Sequence, residues 1–264
     1  HIVLVVIFLV SGLLLMEFIV LPLYLNSAYL DDFRANSAES FSSFFQFARA
    51  YDKPKVYFIG DSVFWGNGLN KSQTLAAYFE DCDEQKREAL NLALSGNIAG
   101  DQLKILEVLD DNGWVVFEIN PLSLTPGVRR VHEIRLEEAG KFPRLYYERN
   151  AIQYAVFGRS GKEYADILLT EKNITVVNVV TPNFNAFRFE IHPDVVANIS
   201  KVASSRVLFL QLPLYNRNYS LALAPEGRQL DLSRLNLSRE YYLDFNHFSP
   251  RGNQLLAEKL CRVL

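Results

Sequence analysis

The sequence is poor in the residue types that announce several common functions. Its 264 residues include only two cysteines, Cys82 and Cys261, far apart in the chain. They make neither a zinc-ligand spacing nor a disulfide framework. A pairing stays open if the fold brings them together, but two unpaired buried thiols are the expectation. His132, His192 and His247 are scattered with no ligand-spaced partner, which disfavours a metal-dependent hydrolase. Positive charge is not in excess: the net charge is −3, so the basic footprint of a nucleic-acid binder is missing. The one glycine-rich turn, Gly66-Asn67-Gly68, lacks both the Gly-x-Gly-x-x-Gly and the Gly-Lys-Ser/Thr spacing of phosphate loops. No cofactor and no metal are expected, and no internal repeat is visible.

Long apolar runs are also absent, with one exception. Ile2 to Leu25 is almost entirely apolar, with Glu17 and the phenol of Tyr24 as its ionisable groups. That length can cross a bilayer as a helix. A cleaved signal sequence is the alternative, although the run exceeds a typical signal h-region and shows no obvious small-residue cleavage site. A chain beginning at His1 is expected to have residues before it. Downstream, Asp31-Asp32 and a scarcity of Lys and Arg place the following domain on the non-cytoplasmic side by the positive-inside rule. Five Asn-x-Ser/Thr sequons, at Asn70, Asn173, Asn198, Asn218 and Asn236, fit an exported domain but acquire glycans only in a glycosylating pathway.

The rest is 49% hydrophobic over the whole chain, enough for one sizeable α/β domain. Ser37 to Tyr51 has helical spacing, with Phe41, Phe44, Phe45 and Ala48 on one stripe and Phe47 off it. Val56-Tyr57-Phe58-Ile59 reads as a buried parallel strand that stops at Gly60 and delivers Asp61 and Ser62 into a turn. A helix follows from Thr74. Ala89 to Leu94 is a short strand, running through the Gly96 turn into an amphipathic helix that ends at Leu109. Trp114 to Ile119 is a third strand, ending at Asn120-Pro121. Residues 174–180 are β-branched and read as an edge strand or inserted hairpin. Asp194 to Val202 reads as a helix, Arg206 to Tyr215 as a buried strand, and Tyr219 to Leu237 as loop with a short helix. Ser249-Pro250-Arg251-Gly252 opens a last helix that buries Leu255, Leu256, Leu260 and Val263. This alternation argues for a three-layer α/β/α domain with a mainly parallel sheet.

Two stretches carry chemistry. A serine at the carboxyl end of a strand stands where open α/β sheets place their reacting groups. A serine nucleophile needs a base, and the base needs a partner to fix its tautomer. Asp244-Phe245-Asn246-His247, far along the chain, supplies both on one short loop.

Gly60-Asp61-Ser62 near the start of the domain and Asp244-x-x-His247 near its end resemble the SGNH (GDSL) hydrolase superfamily. The likeness spans residues 54 to 264 and implies a flavodoxin-like α/β/α fold. It implies Ser62 as nucleophile, His247 as general acid/base and Asp244 as its orienting partner. It implies three oxyanion donors: the Ser62 N–H, the Gly96 N–H and the Asn120 side chain. The sequence departs from the family at the third block, where Glu118 replaces Gly and Pro121 replaces Asp. Asp-x-x-His also differs from the Asp-x-His-Trp form of alginate-type acetyltransferases.

The expected organisation is a membrane anchor over 1–26, a linker and lead-in helix over 27–53, and the SGNH-like domain over 54–264. A membrane-anchored, outward-facing domain of this kind resembles proteins that O-acylate surface polymers, and also anchored esterases. The implied partners are a polysaccharide or glycan substrate, the membrane and a membrane acyl-donor protein. Trp65 is placed either to stack on a sugar ring or to pack the cleft wall. Arg129 and Arg130, in a cluster with His132 and Arg135, form either a solvated face or a hold on an anionic polymer. The aromatic stretch from Phe142 to Leu169 is the candidate lid or docking surface. A different class stays open: an idle SGNH-like module that binds polysaccharide or assembles a membrane complex.

Overall fold

Among the described residues the chain forms a five-stranded, wholly parallel sheet whose inner strands are the apolar runs. In the computed structural model the strands are β1 (Lys55–Ile59), β2 (Glu88–Asn91), β3 (Trp114–Ile119), β4 (Val207–Gln211) and β5 (Arg228–Asp231). Their order across the sheet is β2-β1-β3-β4-β5, the flavodoxin-like order in which strand order reverses between β1 and β3. The structure describes residues 2–20, 34–35, 38–109, 113–127, 192–202, 204–219, 221 and 228–264.

Side-chain alternation along the strands produces two cores, one on each face. Tyr57, Ile59, Val115, Phe117, Ile119 and Phe209 face one side. Helices α2 (Ala38–Ala50), α5 (Ala99–Val108) and α6 (Pro193–Lys201) cover it. Val56, Phe58, Val116, Leu208 and Leu210 face the other side, beneath the short α3 (Ser62–Trp65), α4 (Leu75–Cys82) and α7 (Pro250–Cys261). The expected three-layer α/β/α architecture is therefore the architecture present. Phe41, Phe44, Phe45 and Ala48 are buried as the helical stripe requires, and Phe47 is buried beside them. Phe47 packs against Phe44 and Tyr51 of the same segment.

The helix starts obey local chemistry. The Thr74 hydroxyl accepts from Ala77 N–H at the start of α4, and the Ser249 hydroxyl accepts from Gly252 N–H at the start of α7, with Pro250 at the first helical position. Both are favoured uses of these residues. Gly252 is required by packing: a Cβ there would lie 2.2 Å from the Tyr241 carbonyl oxygen.

Four expectations need correction. The segment from Tyr219 to Leu237 contains β5, whose largely exposed Arg-Gln-Leu-Asp lacks the apolar pattern that marks the inner strands; it is held as an edge by pairing with β4. In the last helix Leu256 and Leu260 are buried, but Leu255 is only half-buried and Val263 is exposed beyond the helix end. The strand expected from Arg206 to Tyr215 is confined to Val207–Gln211. Cys82 and Cys261 are joined in a disulfide. Each ends its helix, and α4 and α7 pack side by side on one face of the sheet, so residues 179 positions apart meet. The expected strand at 174–180 and the aromatic stretch from Phe142 to Leu169 lie outside the described residues.

The N-terminal run is helical: α1 (Ile2–Leu15) continues into a π-helical turn, Met16–Val20. Val3–Val20 has a mean hydropathy of 2.9 and none of it is buried, so this helix is long and apolar enough to cross a membrane.

The disulfide closes almost the whole domain into one loop. Cys82→Ser should lower the unfolding free energy by about 2–5 kcal/mol, the usual cost of removing such a bridge. Urea unfolding of the full chain in detergent, before and after reduction, checks this; reduction should leave the variant's curve unmoved.

Candidate active site

The site begins where β1 ends. Gly60 leaves the sheet, and Asp61 caps the one-turn helix α3 by accepting the Val63 N–H at 2.8 Å. Ser62 is the first residue of that helix, and Gly66 ends it with φ +81°, a left-handed geometry that suits glycine. The Ser62 side chain is thus held on a tight turn at the carboxyl end of the sheet, beside the point where strand order reverses.

The structure brings Asp244 and His247 to it. Ser62 Oγ lies 2.8 Å from His247 Nε2, and His247 Nδ1 lies 2.7 Å from Asp244 Oδ2. With Nδ1–H donating to the carboxylate, Nε2 is left to accept the serine proton. The three-residue spacing works because the loop is a tight turn: Asp244 Oδ1 accepts the N–H groups of Asn246 and His247, at 3.0 and 2.8 Å. The loop is closed by an antiparallel bridge between Tyr242 and Phe248. It is tied to the segment after β4 by Tyr215 N–H donating to the Phe245 carbonyl at 3.0 Å. Burial acts to raise the Asp244 pKa, but the hydrogen bonds and charge of His247 outweigh it and hold the group below the usual carboxylate range.

Asn120 follows β3 as expected and is 1% exposed. Its amide is oriented by two contacts: Oδ1 accepts the Leu122 N–H at 3.1 Å, and Nδ2 donates to Asp61 Oδ2 at 2.9 Å. One of its two N–H bonds is therefore committed to Asp61, and the second is not. Gly96 has φ +84° and open space where a side chain would stand. Its turn is fastened to the nucleophile strand, since Leu94 N–H and Asn97 Nδ2 both donate to the Gly60 carbonyl, at 3.3 and 3.2 Å.

Trp65 is built into the wall of the site. Its indole N–H donates to the Ala35 carbonyl at 2.7 Å, and the Arg34 guanidinium lies over its ring, 4.8 Å from the centroid. That face is covered by the guanidinium, and Trp65 packs, partly buried, against the core beneath α3, α4 and α7. Arg34 is 7% exposed and also donates to the carbonyls of Trp65, Gly66 and Leu69, clamping the loop that follows Ser62. Arg129 and Arg130 lie outside the described residues.

Sequence reasoning missed Arg34 and the second role of Asp61 as acceptor for Asn120. It noted Glu118 only as a departure. The signal for Glu118 was present: a lone carboxyl inside an otherwise apolar strand must have a buried partner. The clamp by Arg34 had no such signal, because its acceptors are backbone carbonyls 31 to 35 residues away.

No family model matches the chain, and no curated protein matches it. Among solved structures it is similar to a chain described as a lipolytic protein of the G-D-S-L family from Desulfitobacterium hafniense DCB-2. The identity is 14% and the TM-score 0.39, over 80% of this chain and 100% of that one. The chemistry assigned to the site rests on its own distances.

The lowered Asp244 pKa links the site to stability. The folded value lies below the unfolded one, about 3.9. The contribution is therefore fully present above that pH and lost as pH falls through the folded value. The stability gap between wild type and Asp244→Asn, measured by urea unfolding, should be open at pH 7 and narrow progressively as pH falls below the unfolded value of about 3.9.

Proposed function

We propose that this chain is a membrane-anchored serine acyl-transfer enzyme of SGNH (GDSL) type, acting on a polysaccharide or glycan outside the cytoplasm. The observation that carries the reading is the unbroken hydrogen-bonded series from Ser62 Oγ through His247 to Asp244. Ser62 Oγ attacks the acyl carbonyl carbon while its proton passes to His247 Nε2. The Asp244 carboxylate stabilises the imidazolium. Negative charge on the carbonyl oxygen is met by the N–H groups of Ser62 and Gly96 and by the free Asn120 N–H. Collapse breaks the bond to the leaving oxygen, which takes the proton from His247 and departs as an alcohol. An acyl-serine remains. His247 then takes a proton from water, giving an acid, or from a sugar hydroxyl, giving a new ester, and returns it to Ser62 Oγ.

Two observations support the outward, membrane-bound setting. The Cys82–Cys261 disulfide belongs in an oxidising compartment. Residues 21–33, thirteen in number by the sequence, join the apolar helix to Arg34 of the site wall. Fully extended they reach about 47 Å, which keeps the site near the membrane surface and suits an acyl group arriving from a membrane donor protein.

The full chain in detergent, given p-nitrophenyl acetate with and without an oligosaccharide acceptor, tests the reading. Nitrophenol release should vanish in Ser62→Ala and nearly vanish in His247→Ala, since such residues act as a unit. Asn120→Ala should lose about 10²–10³ in rate. Acetylated oligosaccharide indicates a transferase; release to water alone indicates an esterase. A folded chain that neither releases nitrophenol nor reacts with a fluorophosphonate at Ser62 would instead be the idle binding module.

A further inference from the structure

Glu118 takes no part in the chemistry above, yet it lies directly under it. The β1–β3 register pairs Ile59 with Phe117, so the next residues on each strand, Gly60 and Glu118, stand side by side at the exit of β1. Glu118 Oε2 accepts the Asp61 N–H at 2.8 Å. The same oxygen lies 2.1 Å from where a Cβ on Gly60 would be. Gly60 is therefore glycine because the Glu118 carboxyl fills the space its side chain would need. Glu118 is 0% exposed, and its Oε1 has no hydrogen-bond partner among the described residues.

We infer that Glu118 is a positioning residue of the serine site: its carboxyl fixes the Gly60-Asp61 turn, and through Asp61 it sets both the Ser62 nucleophile and the Asn120 oxyanion donor. This rests on the serine acyl-transfer reading above. Asp61 is the point of transmission. Its N–H is held by Glu118, its Oδ1 by the Val63 N–H and its Oδ2 by Asn120 Nδ2. A shift of Asp61 thus moves the turn carrying Ser62 and the amide of Asn120 together. Burial, then the adjacent Asp61 carboxylate, push the Glu118 pKa well above the ordinary carboxylate range, so the neutral acid is the favoured form. A neutral acid is also the form that tolerates an unpartnered buried oxygen. The Asp61 side chain is the acceptor that Asn120 Nδ2 donates to.

The neutral amide of glutamine should therefore replace Glu118, whereas an apolar side chain of similar volume should not. Full-length chain in detergent would be compared as wild type, Glu118→Gln, Glu118→Leu and Ser62→Ala. The readouts are the rate of fluorophosphonate labelling and kcat and KM for p-nitrophenyl acetate. Glu118→Gln should stay within about threefold of wild type. Glu118→Leu should lose about 10² in labelling rate and in kcat, the scale of an ångström-sized misplacement, with KM nearly unmoved. Should Glu118→Leu not fold, Glu118→Met, unbranched and flexible, carries the same comparison. A folded apolar variant that keeps its labelling rate overturns the inference, as does a Glu118→Gln variant that falls as far as the apolar one. Both leave the serine reading intact so long as wild type is labelled and Ser62→Ala is not. A folded wild type with no Ser62-dependent labelling overturns the serine reading and this inference with it.

Discussion

The geometry of the site depends on the exit of β1 at Gly60. Its carbonyl accepts Leu94 N–H and Asn97 Nδ2 from the turn after β2. The space above its Cα is taken by the Glu118 carboxyl from β3, which also holds the next N–H in the chain. One residue without a side chain thus joins three strands at the reversal point of the sheet. A side chain at position 60 would meet the Glu118 carboxyl from β3 and the Phe64 side chain of the turn that begins at Ser62. The parallel register supplies this coincidence, because Ile59 beside Phe117 forces Gly60 beside Glu118.

The base is brought by different means. Asp244 and His247 sit on a loop with little regular structure, and local bonds hold their mutual geometry: two backbone N–H groups and one imidazole converge on a single carboxylate. What aims that loop at Ser62 is the helix after it. Helix α7 buries Leu256, Ala257 and Leu260 against the sheet, ties Asn253 Nδ2 to the Gln73 carbonyl, and is bonded covalently to α4 through Cys82 and Cys261. Polar contacts inside the loop and apolar packing of the helix after it together hold the imidazole 2.8 Å from Ser62 Oγ.

Much of this was legible in the sequence, for identifiable reasons. Inner parallel strands are apolar on both faces, so β1, β3 and β4 announced themselves, and their alternation with helices gave the layers. Ser62, Asp244 and His247 were legible because few residue types can perform their chemistry and each stood at an element boundary. The edge strand β5 was not, since its polar residues match no buried pattern and its pairing comes from β4. The disulfide was not, because two cysteines 179 positions apart say nothing of proximity until α4 and α7 are packed side by side. Contacts that end on backbone carbonyls, like those of Arg34, leave no complementary residue in the sequence to be found.

The Arg34 contacts bear on how the chain works as one object. A guanidinium buried this far is costly unless its N–H groups are met, and here they are met by carbonyls of Trp65, Gly66 and Leu69. Those carbonyls belong to the loop that closes the helix begun by Ser62. Removing the segment around Arg34 and Ala35 would strip the Trp65 indole of its acceptor and leave that loop with unmatched carbonyls. Arg34 and Ala35 are therefore bonded directly to the loop that follows Ser62. A catalytic domain cut just before β1 would lack both residues, and would also lack the Phe41, Phe44 and Phe45 face of α2 that fills one core.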